Sequence, residues 1–450
     1  MNDSTSEIAL LRLAKKGVET LQQCDPELVR LMEKESTRQN RVLSMVASSS
    51  TCDPSVLVCG GSSTINVTTE GYPGARYHAG CGVVDEIEEL AISRAKKIFK
   101  ARYANVQPHS GSSANNVLLF SLLQAGDTIL GLDLDSGGHL THGARASATG
   151  QYFNALSYGL DSNGFINYDH LLELALEHKP KVIICGASAY PRFIDFKKFR
   201  EIADKVNAYV IADVSQISGL IVAGFHPSPI DHAHFTTTST YKQLFGPRGG
   251  LILMGRDFDQ IGPDGKNTLS QLVQRGVFPY FQGTPNLASI AAKARAFDYV
   301  AGDDFKKLGQ RIIDNAKAIS GYFLKNGYSV LTEGTDNHMV LLNVLQSKKM
   351  TGVVAEKALE DCNIIVNKNR ILGDQKPPLV TSGIRIGSNN LAIRGISASQ
   401  AAMCGQLIDR VLSSTKVIDD RTYELDANVI SSVKQSVSNL CRDCPLPGYG

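Results

Sequence analysis

The chain is 450 residues long, with 43% hydrophobic and 20% charged residues and a formal net charge of +2 from 46 basic and 44 acidic side chains. This is the composition of a globular protein of about two or three domains, and without a long basic tract it offers no electrostatic footprint for nucleic acid or a membrane surface. Its nine cysteines, odd in number and scattered, exclude a secreted disulfide framework and point to reduced thiols.

In chain order, the polar start Met1-Asn-Asp-Ser-Thr-Ser-Glu7 runs into a helical Ile8-Ala-Leu-Leu-Arg-Leu-Ala-Lys-Lys16. This segment lacks the basic start, long apolar core and small-residue cleavage site of an export signal. No apolar run approaches membrane-spanning length, so a cytoplasmic address is expected. Residues 25–40 read as a helix capped by Asp25 with Pro26 in its first turn, which makes residues 1–40 an N-terminal helical arm. From 41 to 300, short apolar runs (Asp127 to Leu132, Lys181 to Gly186, Ala208 to Asp213, Gly250 to Met254) alternate with helical stretches such as Tyr168 to His178 and Phe196 to Val206. Such alternation predicts the buried strands of a large α/β domain. Residues 301–450 change texture to a long helix, the run Gly334 to Val344 and a final helix, which predicts a smaller α+β domain. Cys441 and Cys444 have C-x-x-C spacing but no second pair to complete a four-thiolate metal site; no metal is expected.

One lysine stands out. In Thr236-Thr-Thr-Ser-Thr-Tyr241-Lys242-Gln-Leu-Phe-Gly-Pro-Arg248-Gly-Gly, Lys242 lies between a polar β-type run and a glycine-rich turn. Alone, this is either an edge strand ending in a surface charge or a Schiff-base lysine for an aldehyde cofactor such as pyridoxal phosphate. Such a cofactor also needs a carboxylate for its pyridinium nitrogen and backbone donors for its phosphate. Asp213, at the end of an apolar strand where α/β sheets bind ligands, is either that carboxylate or a helix cap. Ser110, Gly111 and Ser112 precede the apolar helix starting near Val117 and offer free N–H groups to an anion, or simply cap that helix. His139 is placed to stack on a ring. His142 reads equally as a hydrogen-bonded structural histidine, and the two as metal ligands lack an evident third. Glu70, beside a turn and followed by Arg76, Tyr77 and His78, is a general acid/base candidate. Arg385, alone in an apolar strand, suits a substrate carboxylate or an internal salt bridge.

Several segments, in this order along the chain, together resemble serine hydroxymethyltransferases from about Asp25 to the C-terminus. They are Glu70-Gly-Tyr-Pro-Gly74, Ala104 to Ser112, Gly137-Gly-His-Leu-Thr-His-Gly143, Lys242 to Gly250, Thr335-Asp-Asn-His338, Val366-Asn-Lys-Asn369 and Thr381 to Gly387. The resemblance implies a fold-type I pyridoxal phosphate transferase: a mostly parallel central sheet, an N-terminal arm and a smaller α+β C-terminal domain. It implies Lys242 as the cofactor lysine, Asp213 on the pyridine nitrogen, His139 on the ring, Ser110, Gly111 and Ser112 at the phosphate, and Ser188 near the ring oxygen. It implies Ser48 and Arg385 at the substrate carboxylate. Glu70 becomes the proton-transferring carboxylate, acting across a homodimer, or a tetramer, whose subunits complete each other's sites. Tyr77, Leu134, Gly137, Gly138, Leu140 and Asn369 match the family's folate contacts, so tetrahydrofolate is an expected co-substrate.

The departures are local. Ser48-Ser49-Ser50 stands where the family has Ser-Glu-Asn, Thr68 and His78 stand for tyrosines, and Gln216 and Tyr241 for histidines. They predict retained cofactor chemistry on an α-amino acid with an altered substrate or outcome. The expected activity is making or breaking the Cα–Cβ bond of a β-hydroxy-α-amino acid. A folate-independent aldolase or transaldolase is the second reading, and a non-catalytic binding or regulatory homologue the third.

Overall fold

A computed structural model describes residues 8–449; the polar start through Glu7 lies outside the described residues. Seven strands form the central sheet: β1 (Tyr103–Asn105), β2 (Thr128–Leu132), β3 (Asn154–Tyr158), β4 (Val182–Gly186), β5 (Tyr209–Asp213), β6 (Phe235–Ser239) and β7 (Gly250–Met254), in the order β1-β7-β6-β5-β4-β2-β3. All neighbours are parallel except β7, which runs antiparallel to both β6 and β1. The sheet is thus mostly parallel, as expected for fold-type I. The interior strands β4, β6 and β7 are buried at every residue, which is why they read as continuous rather than alternating runs. The two strands with no strand-like signal in the sequence, β1 and β3, are the sheet's edges, where one side of the ladder is open and less apolar surface is needed.

Helices cover both faces. α1 (Tyr168–His178) and α2 (Phe196–Val206) start where Asn167 and Asp195 accept hydrogen bonds from the N–H groups of His170 and Lys198, and end at left-handed Lys179 and Asn207. The second buries Phe196, Phe199, Ile202 and Ala203, a stripe at helical spacing. The arm consists of two further helices, Ala9–Cys24 and Pro26–Arg41, neither of which buries a residue; Asp25 accepts from Leu28 N–H at 3.1 Å. Beyond residue 300 a helix over Asp303–Lys325 joins two cores: Phe305, Leu308, Ile312 and Ile313 pack under the large sheet, whereas Ala316, Ile319 and Phe323 pack with the small one. That second sheet is antiparallel, in the order Ser329–Val330, Met339–Asn343, Gly383–Gly387, Asn367–Asn369. Leu43 and Met45 join this core from the start of the chain. No described helix is long and apolar enough to cross a membrane. All nine cysteines are free, Cys441 buried and Cys444 half-buried.

What the fold does for function is bring chain crossings to the carboxyl ends of the parallel strands. Gly186, ending β4 at φ +139°, lets the backbones touch: a Cβ there would lie 2.2 Å from the Asp213 carbonyl oxygen, so only glycine fits.

Candidate active site

Lys242 follows an interior strand, and it is only 8% exposed. The loop after β6 closes on itself: Thr240 N–H donates to Gly249 O (3.0 Å), Gly246 N–H to Thr240 O (2.9 Å) and Thr240 Oγ1 to Pro247 O (2.7 Å). Ser50 Oγ reaches in to the carbonyls of Tyr241 (2.8 Å) and Lys242. The lysine is therefore held from behind through its backbone while its side chain faces inward. Burial pulls the ammonium from 10.5 down to about 8, with Asp213 opposing and the positive charges of Arg385 and Arg248 reinforcing the fall. An amine so depressed is a nucleophile close to neutral pH.

Asp213 ends β5 in a hydrogen-bond relay. Its Oδ1 accepts from Ser215 N–H (3.0 Å), and its Oδ2 accepts from Asn115 Nδ2 (2.8 Å) and His142 Nε2 (3.1 Å). Burial alone would raise this carboxyl, but the hydrogen bond from His142, the electrostatic pull of the two histidine rings and the hydrogen bond from Ser215 outweigh it and hold it well below the usual range. His142 Nδ1 accepts from the His139 backbone N–H (3.4 Å), which leaves the ring proton on Nε2, the atom that meets Asp213. Asn115 also donates to Thr141 Oγ1 (2.9 Å) and accepts from Thr237 Oγ1 (2.6 Å). Thr141 in turn meets His139 Nδ1 through both its N–H (3.2 Å) and its Oγ1 (2.8 Å). His139 is thereby fixed as the Nε2–H tautomer, and burial lowers it to about 4, so it is a neutral flat ring at neutral pH. Asp213 supplies the third side chain that the sequence did not reveal beside the two histidines, with ligand atoms within 4.8 Å of one another. Their facing lone pairs are, however, spent inside this relay.

Asn115 escaped the sequence reading. The Asn115-Asn116 pair inside an otherwise apolar helix was the signal available. Replacing Asn115 by leucine strands the Thr237 hydroxyl and strips a donor from Asp213. Urea unfolding of the variant is expected to show a loss of about 1–3 kcal/mol, the cost of buried groups left without partners.

Ser110 caps the helix Gly111–Leu122, its Oγ accepting from Ser113 N–H at 3.0 Å, and Ser112 faces outward in the first turn. Gly111 lies so close to β6 that a Cβ there would meet Ser239 N and Ser215 Oγ at 3.2 Å. Two buried polar atoms beside these elements, Ser239 Oγ and Gln216 Oε1, have no hydrogen-bond partner. Such orphans are uncommon in a finished interior. A buried amine, an ionised carboxylate, a neutral imidazole face and a helix N-terminus with unspent donors fit pyridoxal phosphate.

Arg385 sits mid-sheet on Gly383–Gly387, 8% exposed. Its Nε donates to Asn367 Oδ1 (3.0 Å) and a terminal nitrogen to Ser188 O. Among the described residues no carboxylate pairs with it, and burial lowers the guanidinium to about 10. Ser188 N–H in turn donates to Gly137 O at 2.7 Å, so the arginine, Ser188 and the His139 loop are one connected unit. Ser48 is half-buried just past Ala47, whose carbonyl accepts from His338 Nε2 and Asn389 Nδ2 at 3.1 Å each. Leu134 and Leu140 are exposed, at 42% and 50%, Gly138 is buried, Asn369 is half-buried, and Asp135 pairs with Arg370, the residue after Asn369, at 2.9 Å.

Glu70 lies apart from the relay: its partner is His78 Nε2 at 3.2 Å, and both side chains are well exposed. Tyr77 is 74% exposed and stands edge-on to Phe278. Thr68 is exposed, and the Arg248 guanidinium stacks 3.8 Å over the ring of Tyr241.

The serine hydroxymethyltransferase family profile matches residues 21–408. This chain belongs to that family. It is 43% identical over 424 residues to the serine hydroxymethyltransferase of Psychrobacter sp. (strain PRwf-1), covering 94% of this chain and 96% of the relative. It is 45% identical over 418 residues to a probable serine hydroxymethyltransferase of Rickettsia bellii (93% and 97%), and 45% identical over 425 residues to that of Shewanella sediminis (94% and 97%). Membership makes the chain a fold-type I, pyridoxal-phosphate-dependent transferase, with tetrahydrofolate the co-substrate of the family.

Proposed function

We propose that this chain interconverts serine and glycine by breaking and making the Cα–Cβ bond of the β-hydroxy-α-amino acid, with tetrahydrofolate taking up the one-carbon unit. The observation that carries the reading is the buried Arg385, a cation with no carboxylate partner among the described residues, which shares its electrostatic surroundings with Lys242. An α-amino acid brings the missing carboxylate.

Pyridoxal phosphate, when bound, supplies an electrophilic aldehyde and a ring that takes up the electron pair left on Cα. Lys242 would hold that aldehyde with its depressed amine. Asp213, kept ionised by its relay, would hold a proton at the pyridine nitrogen, and neutral His139 would cover the ring. Ser110, Gly111 and Ser112 would receive the phosphate, with Ser188, Gln216 and Tyr241 as further cofactor neighbours. Arg385 and Ser48 would bind the substrate carboxylate and so orient the substrate's Cα. Glu70, with His78, holds and moves the proton at the substrate β-hydroxyl. Tyr77, Leu134, Gly137, Gly138, Leu140 and Asn369 form the folate edge. Glu70 serves the neighbouring site of a homodimer; the exposed Tyr77, Tyr280 and Phe281 around it suit a face covered by a second copy.

One observation favours a second reading. His78, at a position where the resemblance leads one to expect a tyrosine, engages Glu70, which places an imidazole beside the carboxylate where substrate and folate would meet and suits a folate-independent aldolase. Exchange of the glycine α-proton, followed by NMR, separates the two. The first reading expects tetrahydrofolate to accelerate exchange by about tenfold or more; exchange indifferent to folate would replace it with the aldolase.

A further inference from the structure

Lys293 is the most completely buried lysine in the large domain, 1% exposed, on the helix Leu287–Val300. Its Nζ donates to three backbone carbonyls: Val106 (2.5 Å), Gly250 (2.9 Å) and Pro108 (3.2 Å). Three acceptors require three N–H bonds, so the geometry calls for the ammonium form. Burial draws that ammonium down to about 7, with the charge of Glu88 opposing.

These carbonyls surround the root of the loop that delivers Ser110. Gly250 N–H donates to Pro108 O at 2.8 Å, and Gly250 is pressed so closely on the loop that a Cβ there would lie 2.2 Å from Ser110 O. From the other side Gln282 grips the same loop, accepting from His109 N–H (3.1 Å) and donating to Gln107 O (3.0 Å). Gly250 is also the end of the turn that begins at Lys242. The ammonium therefore sits where the segment that presents the helix N-terminus meets the segment that carries the cofactor lysine, and it neutralises carbonyl dipoles that would otherwise face one another in a dry interior.

We propose that Lys293 is a positioning residue for the phosphate cradle, fixing Ser110 and Gly111 against the Lys242 loop so that their donors converge on the cofactor's phosphate. The inference rests on the pyridoxal phosphate reading above. It predicts an effect confined to the phosphate end, which a lysine that merely supports the fold would not produce.

The test compares pyridoxal phosphate with phosphate-free pyridoxal, each titrated into apoprotein and followed by absorbance and by borohydride trapping. In Lys293→Met the affinity for pyridoxal phosphate is expected to fall by about tenfold or more, while that for pyridoxal changes by less than about threefold. Equal losses for both ligands, or no loss for either, would overturn the proposal. Gly249→Ala gives an independent handle, because a Cβ at Gly249 would lie 2.3 Å from Lys293 Cε and displace the lysine without removing it. If Lys293→Met does not fold, the same ratio in Gly249→Ala decides. Wild-type protein that binds neither aldehyde would overturn the cofactor reading and this inference with it, whereas wild-type binding with an unchanged ratio in the variants removes only the role of Lys293.

Discussion

Lys242→Met is expected to yield a protein that is more stable than wild type as apoprotein and nearly inert as an enzyme. The stability half follows from linkage. The native state lowers the ammonium from 10.5 to about 8 because it is buried beside Arg385 and Arg248. Below pH 8 both native and unfolded chains carry the proton, and the native state bears the full penalty of a buried charge, about 3 kcal/mol. As pH rises from 8 to 10.5 the native lysine gives up its proton first, the penalty shrinks, and above 10.5 it is gone. Methionine has similar volume and no charge, so the gain over wild type should be largest at neutral pH and fade through that window. Denaturant unfolding of both apoproteins across the range measures it; a gain independent of pH would contradict the assignment of the penalty to charge. The activity half follows from the same side chain. Without the amine, borohydride should no longer fix pyridoxal phosphate to the peptide that carries position 242, and turnover should drop by ~10³-fold or more. A site residue whose removal stabilises the fold is what a strained, pre-organised centre predicts.

The legibility of this chain divides along physical lines. Interior strands such as Val182–Gly186 and Gly250–Met254 were plain in the sequence because burial on both faces demands unbroken apolar runs. The edge strands Tyr103–Asn105 and Asn154–Tyr158 were not, since neither must hide both faces. At the site, Asp213 and Arg385 stood out because each is a charge where apolar neighbours predominate, and Lys242 because it is a charge set between a polar β-type run and a glycine-rich turn. Asn115 and Lys293 did not, although they hold the relay and the loop root in place. Their partners are carbonyls, hydroxyls and one carboxylate brought in from distant segments, and such pairings exist only after the topology has been formed. The helix Ser218–Val222 has Ile217 at its cap, so Asp213 does not cap it, and its carboxylate instead meets Asn115, His142 and the Ser215 N–H.

A second large effect is expected at Arg385. Arginine in the middle of a sheet strand is normally held by a carboxylate; here its hydrogen bonds go to the neutral oxygens of Asn367 and Ser188, and among the described residues no carboxylate pairs with its charge, which a ligand could then meet. If that ligand is the substrate carboxylate, truncation removes one member of a buried, hydrogen-bonded charge pair, a loss of about 2–5 kcal/mol in binding. Arg385→Met should therefore lower kcat/KM for serine by roughly 30-fold or more. Arg385→Lys should recover little, because a point charge cannot keep Asn367 and Ser188 and also grip a planar carboxylate with two parallel bonds. The discriminating measurement uses the uncharged amide of the same amino acid. Wild type is expected to favour the acid strongly over the amide, and both variants to lose most of that preference because the acid falls while the amide hardly changes. Equal losses for acid and amide would mean that the arginine only supports the strand and the Ser188 loop, and the carboxylate would have to be held elsewhere.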